Sequence, residues 1–181
     1  IAYFFLCIGY ATDADIVLVT SADDFNHHDR TTKVVKAFEE HNPDMVGTAI
    51  QFINDDNSVN GETDFPRESR FIAPIEMAER LVGGSSSQAW KHEFYETIGG
   101  IPGSAIIDVY LPFLSTAGKG FYFIHELLYG YFHWADIENT GLGGVLRAAQ
   151  GDEKVQYDEL QRYQITSTYF AILDHIFKIN C

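Results

Sequence analysis

Asp23 and Asp24 stand side by side a few residues beyond an unbroken apolar run, Ile16 to Val19. Two carboxylates this close repel one another unless positive charge lies beside them. A hard divalent cation is the natural partner. Mg²⁺ and Mn²⁺ prefer oxygen ligands and are commonly held by one or two carboxylates together with substrate phosphates. The chemistry suggested is therefore a metal–diphosphate site. The same pair would also serve as a solvated loop, and the two residues alone leave both readings open.

The elements that must position such a pair can be read from periodicity. Residues 15–20 read as a strand buried on both faces, the mark of a parallel sheet covered by helices. In open α/β sheets ligands bind beyond the carboxyl ends of strands, which is where the two acids fall. Asp29 should cap a helix over RTTKVVKAFEEH, with Val34, Val35 and Phe38 on one face and Asn42-Pro43 as its stop. MVGTAIQFI (45–53) reads as a second strand, and 55–62 as a turn around Asn60-Gly61. Helices are expected over 73–84 and 90–100, each ending at glycine, with 83–88 a loop between them. Pro102-Gly103-Ser104 opens another helix reaching about Ala117, capped by Ser104. Ile107, Leu111 and Leu114 share its inner face, and Asp108 falls in its first turns, where the helix dipole favours an ionised carboxylate. The aromatic run 120–134 reads as a strand ending near His133. A last amphipathic helix spans 153–178, with Leu160, Tyr163, Tyr169, Ile172 and Ile176 inward. The order is α/β without an internal repeat, and 1–181 is expected to be one domain.

Composition narrows the classes. The chain has 181 residues, 46% of them hydrophobic, and a net charge of -14. That describes a globular protein and argues against nucleic-acid binding by phosphate neutralisation. Cys7 and Cys181 form neither a disulfide framework nor a zinc spacing, so a reducing compartment is expected. The apolar segment 1–11 is short and lacks basic flanks, so neither a signal peptide nor a membrane span is expected. The chain begins with Ile1, which suggests a processed protein or a piece of a larger one.

ADIVLVTSADDF, followed by a helix, a strand and an acidic turn, resembles the family-2 glycosyltransferases of the GT-A fold. The resemblance continues through Phe94 to Gly100, Asp108, Ala117-Gly118, Tyr122 to Leu127 and Tyr131 to His133, covering roughly residues 5–145. It implies a GT-A-like, Rossmann-related mixed sheet flanked by helices. It implies an inverting transfer of sugar from a nucleotide-sugar donor to a hydroxyl on a carbohydrate or lipid-linked acceptor, with Mn²⁺ or Mg²⁺ as cofactor, as in polysaccharide biosynthesis. By the same resemblance Asp23 and Asp24 are metal ligands and Asp24 also faces the donor. Asp108 is the general base, and His133 is a further metal or diphosphate ligand. Read without the family, Asp108 complements a helix dipole and His133 is a satisfied residue among aromatics. Three features depart from the pattern: Ser21 replaces an acid, Ile107 replaces a frequent Glu, and the N-terminal nucleotide-binding half has no counterpart. The expected protein is thus the metal- and acceptor-side portion of the fold, truncated at its N-terminus, a homo-oligomer or reliant on a missing half, cytoplasmic and at most peripheral to a membrane. The alternative is a non-catalytic GT-A-like fragment or partner module.

Other motifs are weaker. His27-His28 belong to a solvated loop or to the mouth of the site. Residues 56–61 imitate a calcium loop, but Arg67 occupies the twelfth position, which rejects an EF-hand. Gly141 to Gly144 reads as a mobile loop able to close over donor. Trp90, Lys91 and His92 either contact a sugar acceptor or pack a helix on the sheet.

Overall fold

The computed structural model describes residues 13–22, 24–54, 56–63, 66–79, 85–99, 101, 106–133 and 167–176. The segments 2–11 and 138–145, the capping Ser104, the inward positions Leu160 and Tyr163, and the first carboxylate, Asp23, lie outside them.

Seven strands form one mixed sheet: β1 (Ile16–Leu18), β2 (Phe25–Asn26), β3 (Met45–Asn54), β4 (Val59–Glu62), β5 (Arg70–Ile72), β6 (Gln88–Lys91) and β7 (Phe121–His133). The order is β1-β6-β3-β7-β2, with β4 on β3 and β5 on β7. Among the described residues only β3 and β7 pair in parallel, and their long ladder, Met45↔Phe121 to Asn54↔His133, is the spine of the sheet. β1 is hydrogen-bonded to the antiparallel β6, so the parallel neighbour expected from its apolar sequence is one strand further away. The strand that separates them, QAWK, sits in sequence read as a loop and a helix start. Its buried Gln88, Ala89 and Trp90 show why four residues without alternation escaped notice.

Helices α1 (Arg30–His41), α2 (Pro74–Glu79), α3 (His92–Thr97), α4 (Ile107–Ala117) and α5 (167–176) cover the sheet. α1 matches its expected bounds. Val34, Ala37 and Phe38 pack with Val46, Ala89, Ile124 and Leu128 on one face, and Asn42 ends the helix at φ 52° with its N–H on Phe38 O. The opposite face carries the larger core, in which Leu111 and Leu114 of α4 and Ile172 of α5 meet Met45, Trp90, Phe121 and Phe123. Tyr169, expected inward, is exposed, its hydroxyl 3.4 Å from Ala78 O.

One reversal differs from the reading above. The chain turns at Asn54–Ser58, with Asn57 at φ 64° and the Ser58 N–H on Asp56 Oδ1 at 2.9 Å. Asn60-Gly61 lies within β4 instead. α4 passes into β7 through residues 118–120, closed by Gly120 N–H on Ser115 O at 2.8 Å. Asp44, buried at the foot of β3, accepts the Lys119 N–H at 2.6 Å and seals this turn. Burial pushes its carboxyl above the ordinary range, against the opposing pull of the Lys119 N–H.

Candidate functional site

The segment leaving β1 runs across the sheet toward its far side. Val19 N–H still bonds Gln88 O at 3.1 Å, and five residues later Asp24 touches β7. Its Oδ2 accepts the Tyr129 O–H at 2.5 Å and its Oδ1 accepts the Phe132 N–H at 3.2 Å. The carboxylate is thereby fixed beside the carboxyl-terminal half of β7, one residue before His133. Oxygen donors held this way fit a hard ion such as Mg²⁺ or Mn²⁺.

Tyr129 holds both ends of the turn. Its oxygen accepts the Ser21 N–H at 3.2 Å while its proton goes to Asp24. The ring reaches this position because β7 slips register between Ile124 and Tyr129, turning His125 and Glu126 out to solvent. Burial, and then the bond to Asp24, push the phenol above its usual value, so it remains a donor across the physiological range. Tyr129→Phe should cost about 1–3 kcal/mol in chemical denaturation, because Asp24 and Ser21 each lose a partner. The raised pKa adds an alkaline signature. The phenol's contribution is full below about 10 and declines as pH climbs through the folded-state value. The phenylalanine variant should lack that decline.

Arg30 is the second organiser. It is 1% exposed. Its Nη2 donates to Val19 O and Ser86 O, each at 2.9 Å, and its Nη1 donates to Asn26 Oδ1. The guanidinium lies 4.8 Å from the Tyr129 ring centroid, a cation–π geometry. Burial pulls its pKa down to about 10. The one side chain therefore ties the end of β1, the 3-10 turn Ser85–Ser87 and β2 into a cradle for the Asp24 loop. Ser21 Oγ bonds Ser86 Oγ at 2.7 Å, so this uncharged residue serves as a loop contact.

Asp108 opens α4 and is half-buried. Ile106 precedes the helix, and its N–H bonds Thr168 Oγ1 of α5 at 2.9 Å. α4 packs back along the strand it leads into, so its first turn points away from the start of β7 and toward its later half. At ~1.5 Å per residue, α4 reaches about as far as five strand residues. Asp108 is thus held on the larger-core face, while Asp24 sits at the β2 side of β7. His133 ends the strand, its backbone paired with Asn54.

Other expected contacts are placed elsewhere. Trp90 is a core residue stacked near Tyr95, with ring centroids 6.2 Å apart. Lys91 and His92 line a cavity of about 600 Å³ with Asp13, Asp15 and Glu39, at the start of β1 rather than its end. Tyr129 and Arg30 were not singled out from sequence. An arginine opening a helix reads as surface, and one tyrosine among many aromatics carries no signal of its own.

Fold and site define a class: a mixed α/β sheet flanked by helices, with an anchored carboxylate on the loop leaving a strand. Solved structures share that fold. S. aureus TarS residues 1–349 in complex with UDP-GlcNAc aligns with a TM-score of 0.55 at 10% identity, over 86% of this chain and 43% of that one. S. aureus TarS aligns at 0.50 and 10% identity, over 69% and 23%. The chain therefore spans less than half the length of either. No family profile matches the sequence, and no curated protein matches it. Among the described residues no helix is long and apolar enough to cross a membrane.

Proposed function

We propose that the chain is the metal- and acceptor-side portion of an inverting, metal-dependent glycosyltransferase that uses a nucleotide-sugar donor. The observation carrying this reading is the carboxylate of Asp24, anchored by Tyr129 and Phe132 beside the end of β7. The fold shared with TarS, whose structure contains UDP-GlcNAc, supports a uridine-diphosphate sugar as the donor class. Asp24, with its sequence neighbour Asp23 and with His133, the residue after Phe132, would hold Mn²⁺ or Mg²⁺. A cation bound there supplies Lewis-acid neutralisation of the departing diphosphate. Asp108 accepts the proton of the acceptor hydroxyl as its oxygen bonds the anomeric carbon and the bond to the diphosphate breaks.

Calorimetric titration of the full-length protein with UDP tests the proposal. Binding should require Mn²⁺ or Mg²⁺, and Asp24→Asn should weaken it by at least tenfold, about 1.4 kcal/mol, while leaving the fold intact. UDP binding indifferent to metal and to Asp24 would remove this reading. A second reading, a GT-A-like module without transfer activity, rests on Ser21, whose hydroxyl is engaged by Ser86 and supplies no charge. It expects no sugar transfer with any divalent cation.

A further inference from the structure

We propose that His27, His28 and Asp29 form a zinc site of their own at the junction of β2 and α1. One ligand atom from each residue lies within 4.8 Å of the other two. His28 Nε2 is 3.2 Å from Asp29 Oδ1, and His27 Nδ1 is 3.9 Å from Asp29 Oδ2. Four ligands at ~2.0–2.2 Å around tetrahedral zinc stand about 3.3–3.6 Å apart, so ligand atoms up to 4.8 Å apart must draw in by roughly an ångström, through rotation of the exposed His28 and half-exposed Asp29 side chains. The imidazole rings lie with centroids 4.3 Å apart and tilted by 32°.

The conduct of Asp29 is the independent observation. It occupies the N-cap position of α1, where an aspartate ordinarily accepts a helix N–H. Here it makes no side-chain cap bond and its backbone is already helical, at φ -86° and ψ -6°. The carboxylate is turned to the two imidazoles instead. Lys33, the nearest lysine along the helix, directs its ammonium to Glu126 and feels Asp29 only as a weaker coulombic neighbour. His27 Nδ1 receives only a long contact from the Asp29 N–H, at 3.3 Å, which a metal would displace. His27 N–H bonds Leu128 O at 3.1 Å, so the backbone beneath the cluster is pinned to the strand that also carries Tyr129.

Two imidazoles and one carboxylate prefer Zn²⁺, Co²⁺ or Ni²⁺ over the oxygen-seeking Mg²⁺ and Mn²⁺. The fourth position is open to water. The bound ion would lock the turn between β2 and α1, and with it the Arg30–Asn26 bond that cradles the Asp24 loop. This site is separate from the diphosphate site and stands whether or not that proposal holds.

The test is titration of the nucleotide-free full chain, both cysteines alkylated, with Co²⁺ followed by visible absorption and competed with Zn²⁺. One tetrahedral site is expected, with Co²⁺ bands that Zn²⁺ displaces and millimolar Mg²⁺ does not. His28→Ala and Asp29→Ala should each weaken binding at least tenfold, whereas Asp24→Asn should leave it unchanged. His28→Gln provides a second variant that keeps the side chain polar. Full affinity in the His28 variants, its loss in Asp24→Asn, or the absence of tetrahedral bands would each overturn the assignment.

Discussion

Arg30→Met should lower the unfolding free energy by about 2–5 kcal/mol. Methionine keeps the aliphatic stem against Tyr129 but removes the donors that reach Val19 O, Ser86 O and Asn26 Oδ1. Each buried carbonyl deprived of its charged partner costs about 1–3 kcal/mol. No other donor described here reaches these oxygens across the junction of β1, the Ser85–Ser87 turn and β2. Arg30→Lys should recover only part of the loss, because a single ammonium cannot span oxygens that a planar fork reaches together. Urea denaturation followed by fluorescence of the buried Trp90 gives the readout. The functional consequence is separable. At concentrations of urea where the variant is still folded, metal-dependent UDP binding should already be impaired, since the Asp24 loop has lost its cradle. An unchanged denaturation midpoint would show that the loop is held by other means.

The behaviour of Arg30 explains much of what sequence could and could not show. The apolar run 16–19, the RTTKVVKAFEEH periodicity and the long aromatic strand were legible because each encodes its burial locally. Val34 and Phe38 point inward wherever that helix packs, and Leu111 and Leu114 do the same in α4. QAWK was not legible, because its strand identity comes from lying between β1 and β3 and not from any alternation of its own. The turn at Asn54–Ser58 was displaced from the Asn60-Gly61 signal because the ladder with β3 continues through Gly61, paired with Phe52. Tertiary pairing overrode local turn preference there.

The site divides along the same line. Asp24 was recognisable as a carboxylate at a strand end, since its neighbours in sequence announce the strand. Its anchors come from more than a hundred residues away, Tyr129 and the Phe132 N–H, and nothing in the sequence around either links it to the loop. Asp29 shows the converse. Sequence correctly placed a helix start there, and the structure turns the expected capping group to a different task. Local rules located the residues, while long-range hydrogen bonds decided their chemistry.

Asp108→Asn should reduce sugar transfer by the full-length protein about 10²–10⁴-fold, the usual scale of a positioned general base, while metal-dependent UDP binding stays at the wild-type level. The split follows from position. Asp108 belongs to α4, packed on the larger-core face and braced by Thr168 of α5, whereas Asp24 is anchored on the β2 side of β7. Under the proposed reading the two carboxylates would act on different parts of a bound substrate. If Asp108 served only the helix dipole, asparagine would cost about 0.3–1 kcal/mol of stability and leave turnover untouched. The pH profile separates these roles further. A base must be ionised to accept the acceptor proton, so wild-type turnover should fall on the acid side as Asp108 protonates. That limb should vanish in the asparagine variant, whose residual rate depends on water or hydroxide. Asp108→Glu should retain more activity than asparagine, since it restores the basic group at the cost of about one bond length in position. Wild-type turnover in Asp108→Asn would assign the proton transfer to another group.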